Sequence, residues 1–344
     1  MICPLCRYNE ANKPNTHYLT DSIIRTALNL EGSNVRESGF YFTVETGNPF
    51  FDFNFQRATP IIAVENALGR DANENEIAEA KRRLYSVDKV FCSDCETRFT
   101  EIEAAFIANV LPSFRNSNLS GRSFVTIDNI RLARTFFYLQ IWRSAICESI
   151  FALSEEIKES LRIDILRYRD GGEPSLFPML ITYLETLGGA FQFTNNLVGY
   201  TDDIAPRLIL FNDFVIQFFS RIDQVRFFDF HGLNSPQDYM QMLNFGEDAF
   251  RVKIIHDQER LQFRSNVLRK EVVKGKMRYF EDRFVTAFNW IFGLYPPAVL
   301  VSRFLQYFVA GGEDDLLRYG RNGVGLAIMT FLIAEFPHRF PGGR

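Results

Sequence analysis

Histidine occurs four times in 344 residues and tryptophan only twice, so chemistry that needs several imidazoles has little to draw on. No Gly-x-x-x-x-Gly-Lys-Ser/Thr loop is present, and Gly320-Arg321-Asn322-Gly323-Val324-Gly325 follows no clear strand, which excludes a phosphate-cradling loop of the common kind. Without a Gly-x-Ser-x-Gly elbow, serine-hydrolase chemistry has no anchor. Internal repeats and low-complexity tracts are missing as well. Charge of one sign is not in excess: 38 basic and 42 acidic side chains leave a net −4, which gives no global pull toward nucleic acid. Met1-Ile2-Cys3-Pro4 has neither the basic start nor the apolar run of a secretory signal. With only five cysteines, the expected setting is a reducing, cytoplasmic one in which thiols serve metals or cores.

Long uncharged runs are also few. Phe284 to Ser302 has no charge and approaches bilayer length, but Asn289 and Pro296-Pro297 interrupt it and Arg303 follows at once. Val324 to Ala334 is too short to span. A buried helix–turn–helix is expected there, so no membrane partner is expected and a membrane-acting effector is the least favoured functional class.

What is present can build a large core. Apolar side chains make up 47% of the chain and charged ones 23%, and this length corresponds to about two domains at roughly 150 residues each. Phenylalanine stands out, with 36 copies, implying aromatic-filled packing between elements. Gly39–Val44 and Phe50–Phe55 read as strands around the turn Gly47-Asn48-Pro49. Helices are predicted over 71–85 and 93–110, over 128–153 as a mostly buried element, and over 154–168. Arg207 to Phe219 is read as strand pairing, with Thr194, Asn195, Asn196 and Gly199 separating two apolar runs. Residues 251–283 form a locally basic segment, ten basic against five acidic side chains. Arg260, Arg264, Arg269, Lys270, Lys274 and Lys276 are its candidate phosphate-backbone contacts, against the alternative of a solvated helix face. Arg251 and His256 have the spacing seen in HEPN-type ribonucleases, although Val252 sits where a polar residue is usual.

The sharpest signal is the pair Cys3-Pro4-Leu5-Cys6 and Cys92-Ser93-Asp94-Cys95. Each Cys-x-x-Cys turn sets two thiolates on one side of a tight loop, and two such turns complete a tetrahedral four-sulfur zinc site. Cys147, the fifth, lies on the apolar Trp142 segment and reads as a core thiol. A first pair on a knuckle and a second pair opening a helix, with strands between, is a treble-clef arrangement.

At these residues the chain resembles HNH-endonuclease-like bacterial zinc proteins. Cys3-x-x-Cys6 followed by Thr16-His17-Tyr18-Leu19 is similar to the start of that signature, and Phe91 to Glu96 with Phe99 and Glu103 to its second half. Phe137 to Ser144 resembles the Trp-Arg helix that follows, so the resemblance covers residues 1–165. It implies a metal-dependent nuclease acting on DNA, with relatives near bacterial anti-phage genes and a partner protein from the same operon. His17 would activate water, and Glu96 and Glu103, two helical turns apart, would hold Mg²⁺ or Mn²⁺. The second histidine of the pattern is absent, which leaves open a non-catalytic scaffold or a nucleic-acid- or protein-binding module. The expected fold is α+β, mainly α: a zinc treble-clef, HNH-like domain over 1–115 with inserted strands, then a larger, mostly helical region over 120–344 with a small strand pairing.

Overall fold

The computed structural model describes residues 1–24, 40–44, 52–55, 61–80, 85–185, 197–201, 205–227, 230–309, 319 and 321–340. The chain divides into two compact units, residues 1–44 with 52–266, and residues 45–51 with 267–344. The expected boundary between 115 and 120 falls inside the first unit.

In chain order the first unit contains β1 (Thr16–His17), α1 (Asp21–Ile24), β2 (Phe40–Val44), β3 (Asp52–Phe55), α2 (Ile61–Leu68), α3 (Glu74–Ala80) and β4 (Ser86–Val87). Next come α4 (Ser93–Asn109), α5 (Pro112–Arg115), β5 (Phe124–Ile127), α6 (Ile130–Cys147), α7 (Glu155–Leu166) and β6 (Met179–Leu184). Then follow β7 (Leu197–Tyr200), β8 (Arg207–Phe211), β9 (Phe214–Phe218), α8 (Pro236–Gln241) and β10 (Phe250–Ile255). Residues 257–266 of α9 (Asp257–Phe292) close the unit.

The class is α+β, but the strands form far more than a small pairing. Eight of them make one mixed sheet in the order β3-β2-β7-β8-β9-β6-β10-β5. Two neighbouring pairs are parallel, β2 with β7 and β6 with β10. The sequence hides this sheet for a physical reason. Every residue of β6, β7 and β9 is buried, so the strands read as continuous apolar runs with no alternation, and periodicity cannot tell such a run from a buried helix. The edge strand β5 does alternate, with Val125 and Ile127 in and Phe124 and Thr126 out.

The predicted strand pairing over 207–219 is the hairpin of β8 and β9, closed by Asn212-Asp213. Asn212 has φ 68°, a left-handed conformation that two-residue hairpin turns require and asparagine tolerates. Gly199 is not a separator: it lies within β7. Residues 194–196, named with it, fall outside the described residues. The two expected N-terminal strands are present as β2 and β3, and β2 pairs onward with β7 as part of the large sheet.

The helix α6 is the centre of the first unit. Its residues from Leu132 to Ser144 are all buried, as its nearly all-round apolar pattern predicts. Asn129 caps it, its side chain accepting from the Leu132 N–H at 3.1 Å. On one side Phe136 stacks on Phe106 of α4 at 3.7 Å, and on the other Phe137 meets Phe214 and Phe250 of the sheet, both at 5.7 Å. Each such ring contributes about 1.5–3 kcal/mol by leaving water. The second unit repeats the device with the rest of α9, α10 (Ala298–Val309) and α11 (Arg321–Glu335). Phe284 stacks on Phe304 at 4.2 Å and meets Phe331 edge-on at 5.7 Å. The uncharged run 284–302 is the end of α9, a turn at Pro296-Pro297 and the start of α10, and among the described residues no helix is long and apolar enough to cross a membrane.

One buried ion pair ties the hairpin turn to the helices. Asp213, 1% exposed, accepts from Arg115 Nε at 2.7 Å, and Arg115 is itself buried at the end of α5. Burial pushes the Asp213 carboxyl up, opposed by Arg115 and by Arg260. Removing the carboxylate strands two guanidinium groups in the interior. Asp213→Ala is therefore expected to cost about 3–5 kcal/mol in urea denaturation, whereas a loss under about 1 kcal/mol would mean that water reaches the pair.

Candidate metal centre

Two backbone devices build the four-sulfur cluster. In the first, Cys3 N–H donates to Asn9 O and Arg7 N–H to Cys3 O, both at 2.9 Å, with Arg7 turned to φ 63°. This closes a knuckle around Cys3 and Cys6. In the second, Cys92 is the N-cap of α4 and Cys95 lies in its first turn. Cys92 makes no side-chain cap bond, so its sulfur is left for the cluster. The two devices are pinned by Lys13 N–H donating to Phe91 O at 3.0 Å and Lys89 N–H to Lys13 O at 2.8 Å. Between them β1 and β4 pair antiparallel, Thr16 opposite Val87 and His17 opposite Ser86.

The sulfurs of Cys3, Cys6, Cys92 and Cys95 all lie within 4.8 Å of one another. Cys6 and Cys92 Sγ are 3.8 Å apart, which matches the edge of about 3.8 Å that a tetrahedron with zinc–sulfur bonds of ~2.3 Å requires. Cys3, Cys92 and Cys95 are buried and Cys6 partly so. Asn9 Nδ2 approaches Cys92 Sγ at 3.8 Å and donates to Asp94 at 2.9 Å, an outer partner of the kind that orients ligands. This is a site fit for a metal ion, and an all-sulfur donor set suits zinc.

The thiols show the charge problem a cation solves. A hydrogen bond from Cys95 holds the Cys3 thiol down to about 4 despite burial, while that same bond, with burial, pushes Cys95 far up. Burial raises Cys92 too. Four thiolates in one dry cluster repel, and coordination to a dication removes that penalty. Cys147 is partly buried on α6, where burial pushes its thiol up to about 12; it takes no part in the cluster.

Beside the sulfurs lies a polar network centred on Arg143, 1% exposed on α6. Its guanidinium donates to Glu103 of α4, to His17 O at 2.8 Å and to Gln140 Oε1 at 3.3 Å. Glu103 also accepts from Thr20 Oγ1 at 2.7 Å, and the Gln140 side chain accepts from Thr20 N–H at 3.1 Å. The guanidinium stands 5.3 Å above Phe99, which packs with Phe91 and Trp142. The sequence marked Trp142-Arg143 only as part of a resemblance; the surplus of buried polar residues within an apolar helix is the signal that finds Arg143 and Gln140.

The predicted acid–base residues are thus near one another but differently employed. Glu103 is held by Arg143 and Thr20. Glu96, in the first turn of α4, is half-buried, and burial raises its carboxyl, with Arg143 opposing and Glu103 adding to the rise. Thr16 is fully buried and interacts with Glu96. His17 follows Thr16 along β1 and so points to the other face of the strand, where its Nε2 lies 3.9 Å from Asp21.

The basic segment is not one exposed stripe. Arg251 and Lys253 lie on β10, with His256 just past its far end from Arg251. Arg260 is buried and donates to Leu184 O at 2.6 Å. Arg264 is half-buried, Arg269 and Lys270 are exposed, Lys274 pairs with Glu271 at 3.5 Å, and buried Lys276 donates to Tyr319 O at 3.0 Å.

Comparison of the chain with known protein families, with curated proteins and with solved structures finds no match. The cluster itself makes a direct prediction. Protein purified without chelator is expected to carry about one zinc per chain by plasma mass spectrometry, and Cys92→Ser to lose it together with several degrees of melting temperature.

Proposed function

We propose that the chain is a zinc-stabilised, HNH-like treble-clef module whose former catalytic edge has been turned into structure, and that it acts as a binding scaffold rather than as a nuclease. The zinc identity is supported by the four-sulfur donor set and its spacing. The treble-clef reading is supported by the order of knuckle, β1–β4 pair and α4, whose N-cap and first turn supply the last two sulfurs. One observation carries the functional reading. Glu103, the carboxylate that a catalytic metal would need, is bound by buried Arg143, which at the same time holds the backbone of His17. A carboxylate neutralised in this way is a poor ligand for Mg²⁺ or Mn²⁺.

A second reading, the metal-dependent nuclease, draws on a different contact. Asp21 stands 3.9 Å from His17 Nε2, and a carboxylate beside an imidazole is how a general base is oriented. In that reading His17 activates water and Glu96 supplies the metal-binding oxygen. The place of either reading in bacterial anti-phage defence, with DNA or a protein of the same operon as partner, follows from the resemblance of residues 1–165 alone.

Plasmid DNA incubated with Mg²⁺ or Mn²⁺ separates the two. The scaffold reading expects no cleavage and expects Glu103→Gln to lower stability by about 1–3 kcal/mol, since Arg143 then keeps a neutral partner in place of a charged one. Cleavage by the wild type that falls about 10²-fold or more in His17→Ala, at unchanged zinc content and melting temperature, would overturn it.

A further inference from the structure

Glu185 and His256 occupy the ends of neighbouring parallel strands. In the register of β6 and β10, Leu184 is opposite Ile255, so the next residue of each strand, Glu185 and His256, emerge side by side at the carboxyl edge. The Glu185 N–H donates to Ile255 O at 2.9 Å, extending the ladder to this point. In open parallel sheets the carboxyl edge of adjacent strands is where small ligands bind, and β6 with β10 reproduces that edge locally within this mixed sheet. Here the Glu185 carboxylate, 4% exposed, lies 2.7 Å from His256 Nδ1. That contact orients the ring and leaves Nε2 on its opposite edge.

His256 lines a cavity of about 500 Å³ in the first unit, a size typical of nucleotide and cofactor sites. One pair of charges in the wall is matched, Lys253 Nζ donating to Asp238 at 2.8 Å and to Leu233 O at 2.6 Å, while the Glu259 carboxylate accepts from the His256 N–H at 3.2 Å and keeps its charge. What remains is rich in donors. Among the described residues, the Arg122 guanidinium and the Gln262 amide, both in the wall, make no side-chain hydrogen bond or ion pair. Arg122 comes from the loop before β5, His256 from the end of β10 and Gln262 from the first turns of α9. The N-terminus of that helix opens here too, since Arg260 N–H donates to His256 O at 2.8 Å as its first turn. Gly232, at φ 82°, lets the opposite wall turn, and a Cβ there would meet Asn266 at 3.4 Å.

We propose that this cavity binds a small phosphate-bearing molecule, with the phosphate held by Arg122, Gln262 and His256 Nε2. Arg122 and Gln262 can donate to the anion from two elements, while His256, whose Nδ1 proton goes to Glu185, receives the proton of a hydrogen phosphate on Nε2 or, as imidazolium, donates from it. Arg122 is the cation without a side-chain partner, and with the partial charge of the helix N-terminus it must outweigh the Glu259 carboxylate in the same wall. Glu185 acts as a positioning residue, fixing the ring so that Nε2 shares a proton with a phosphate oxygen. The site owes nothing to the four cysteines or to His17, and it stands whether or not the chain cleaves DNA.

Titration calorimetry of the zinc-loaded full chain, in buffer without phosphate, tests this with inorganic phosphate, adenosine monophosphate, adenosine and acetate. Phosphate and the monophosphate are expected to bind at millimolar concentration or below, and adenosine and acetate are not. Arg122→Ala and His256→Gln are each expected to weaken binding of the monophosphate about tenfold or more, with zinc content and circular dichroism unchanged in both and melting temperature unchanged in Arg122→Ala. Glu185→Gln is expected to weaken it less and to shift its pH profile, a change that loss of packing alone would not produce. Absence of heat with both phosphate and the monophosphate would overturn the proposal. So would acetate binding as tightly as phosphate, or variants of Arg122 and His256 that bind like the wild type.

Discussion

Four sulfur atoms join chain segments that are otherwise distant: a knuckle at residues 3–6 and the opening turn of α4 at 92–95. The rest of the N-terminal architecture depends on that junction. The knuckle is held mainly by backbone bonds across polar loops, and it contributes few large apolar side chains of its own. A metal ion held by these sulfurs would add to the core that Leu5, Phe91 and Phe99 build around them, and would couple folding to metal binding. Once α4 is fixed at its start, Phe99 and Phe106 are aligned to meet Trp142 and Phe136 of α6. Through α6 the order passes to the sheet, where Phe137 meets Phe214 and Phe250.

A second constraint is electrostatic. Arg143, Arg134, Arg260 and Arg115 are among the most deeply buried side chains of the first unit, and each is answered by a carboxylate, a backbone carbonyl or an aromatic face. Such groups contribute little net stability compared with hydrophobic replacements, yet a missing partner is costly. They therefore specify which elements meet. Arg143 binds α6 to α4 and to β1, and Arg115 binds α5 to the turn between β8 and β9.

Much of the chain was readable from its residues, and the parts that were not share a cause. The cysteine spacing led straight to the four-sulfur cluster, because coordination geometry is encoded in local spacing. The helices α4, α6 and α7 were legible from their apolar patterns, and Asn129 and Ser154 accept the bonds that start α6 and α7. The sheet was mostly hidden, because β6, β7 and β9 are covered on both faces and show no alternation. The same blindness concealed the Glu185–His256 pair. These two residues are distant in sequence and meet only through a parallel register, and parallel pairing leaves no hairpin signal between its strands. His17, Glu96 and Glu103 were legible as residue types and spacing. The pairing of Glu103 with Arg143 was not, since it depends on how α4 packs against α6.

The closeness of the four sulfurs also has a redox side. Cys6 and Cys92 Sγ stand 3.8 Å apart, and a disulfide needs them at about 2.05 Å, a shift that side-chain rotation and a small loop movement supply. A coordinated thiolate would be shielded from that reaction, whereas in the bare cluster the hydrogen bond from Cys95 favours the thiolate of Cys3. Oxidant and chelator therefore act on the same population. Whatever strips the ion exposes the sulfurs to oxidation, and whatever oxidises a pair removes two ligands and prevents the ion's return. The junction that organises the N-terminal half is in this sense a reversible latch, closed only while the surroundings keep it reduced and supplied with metal.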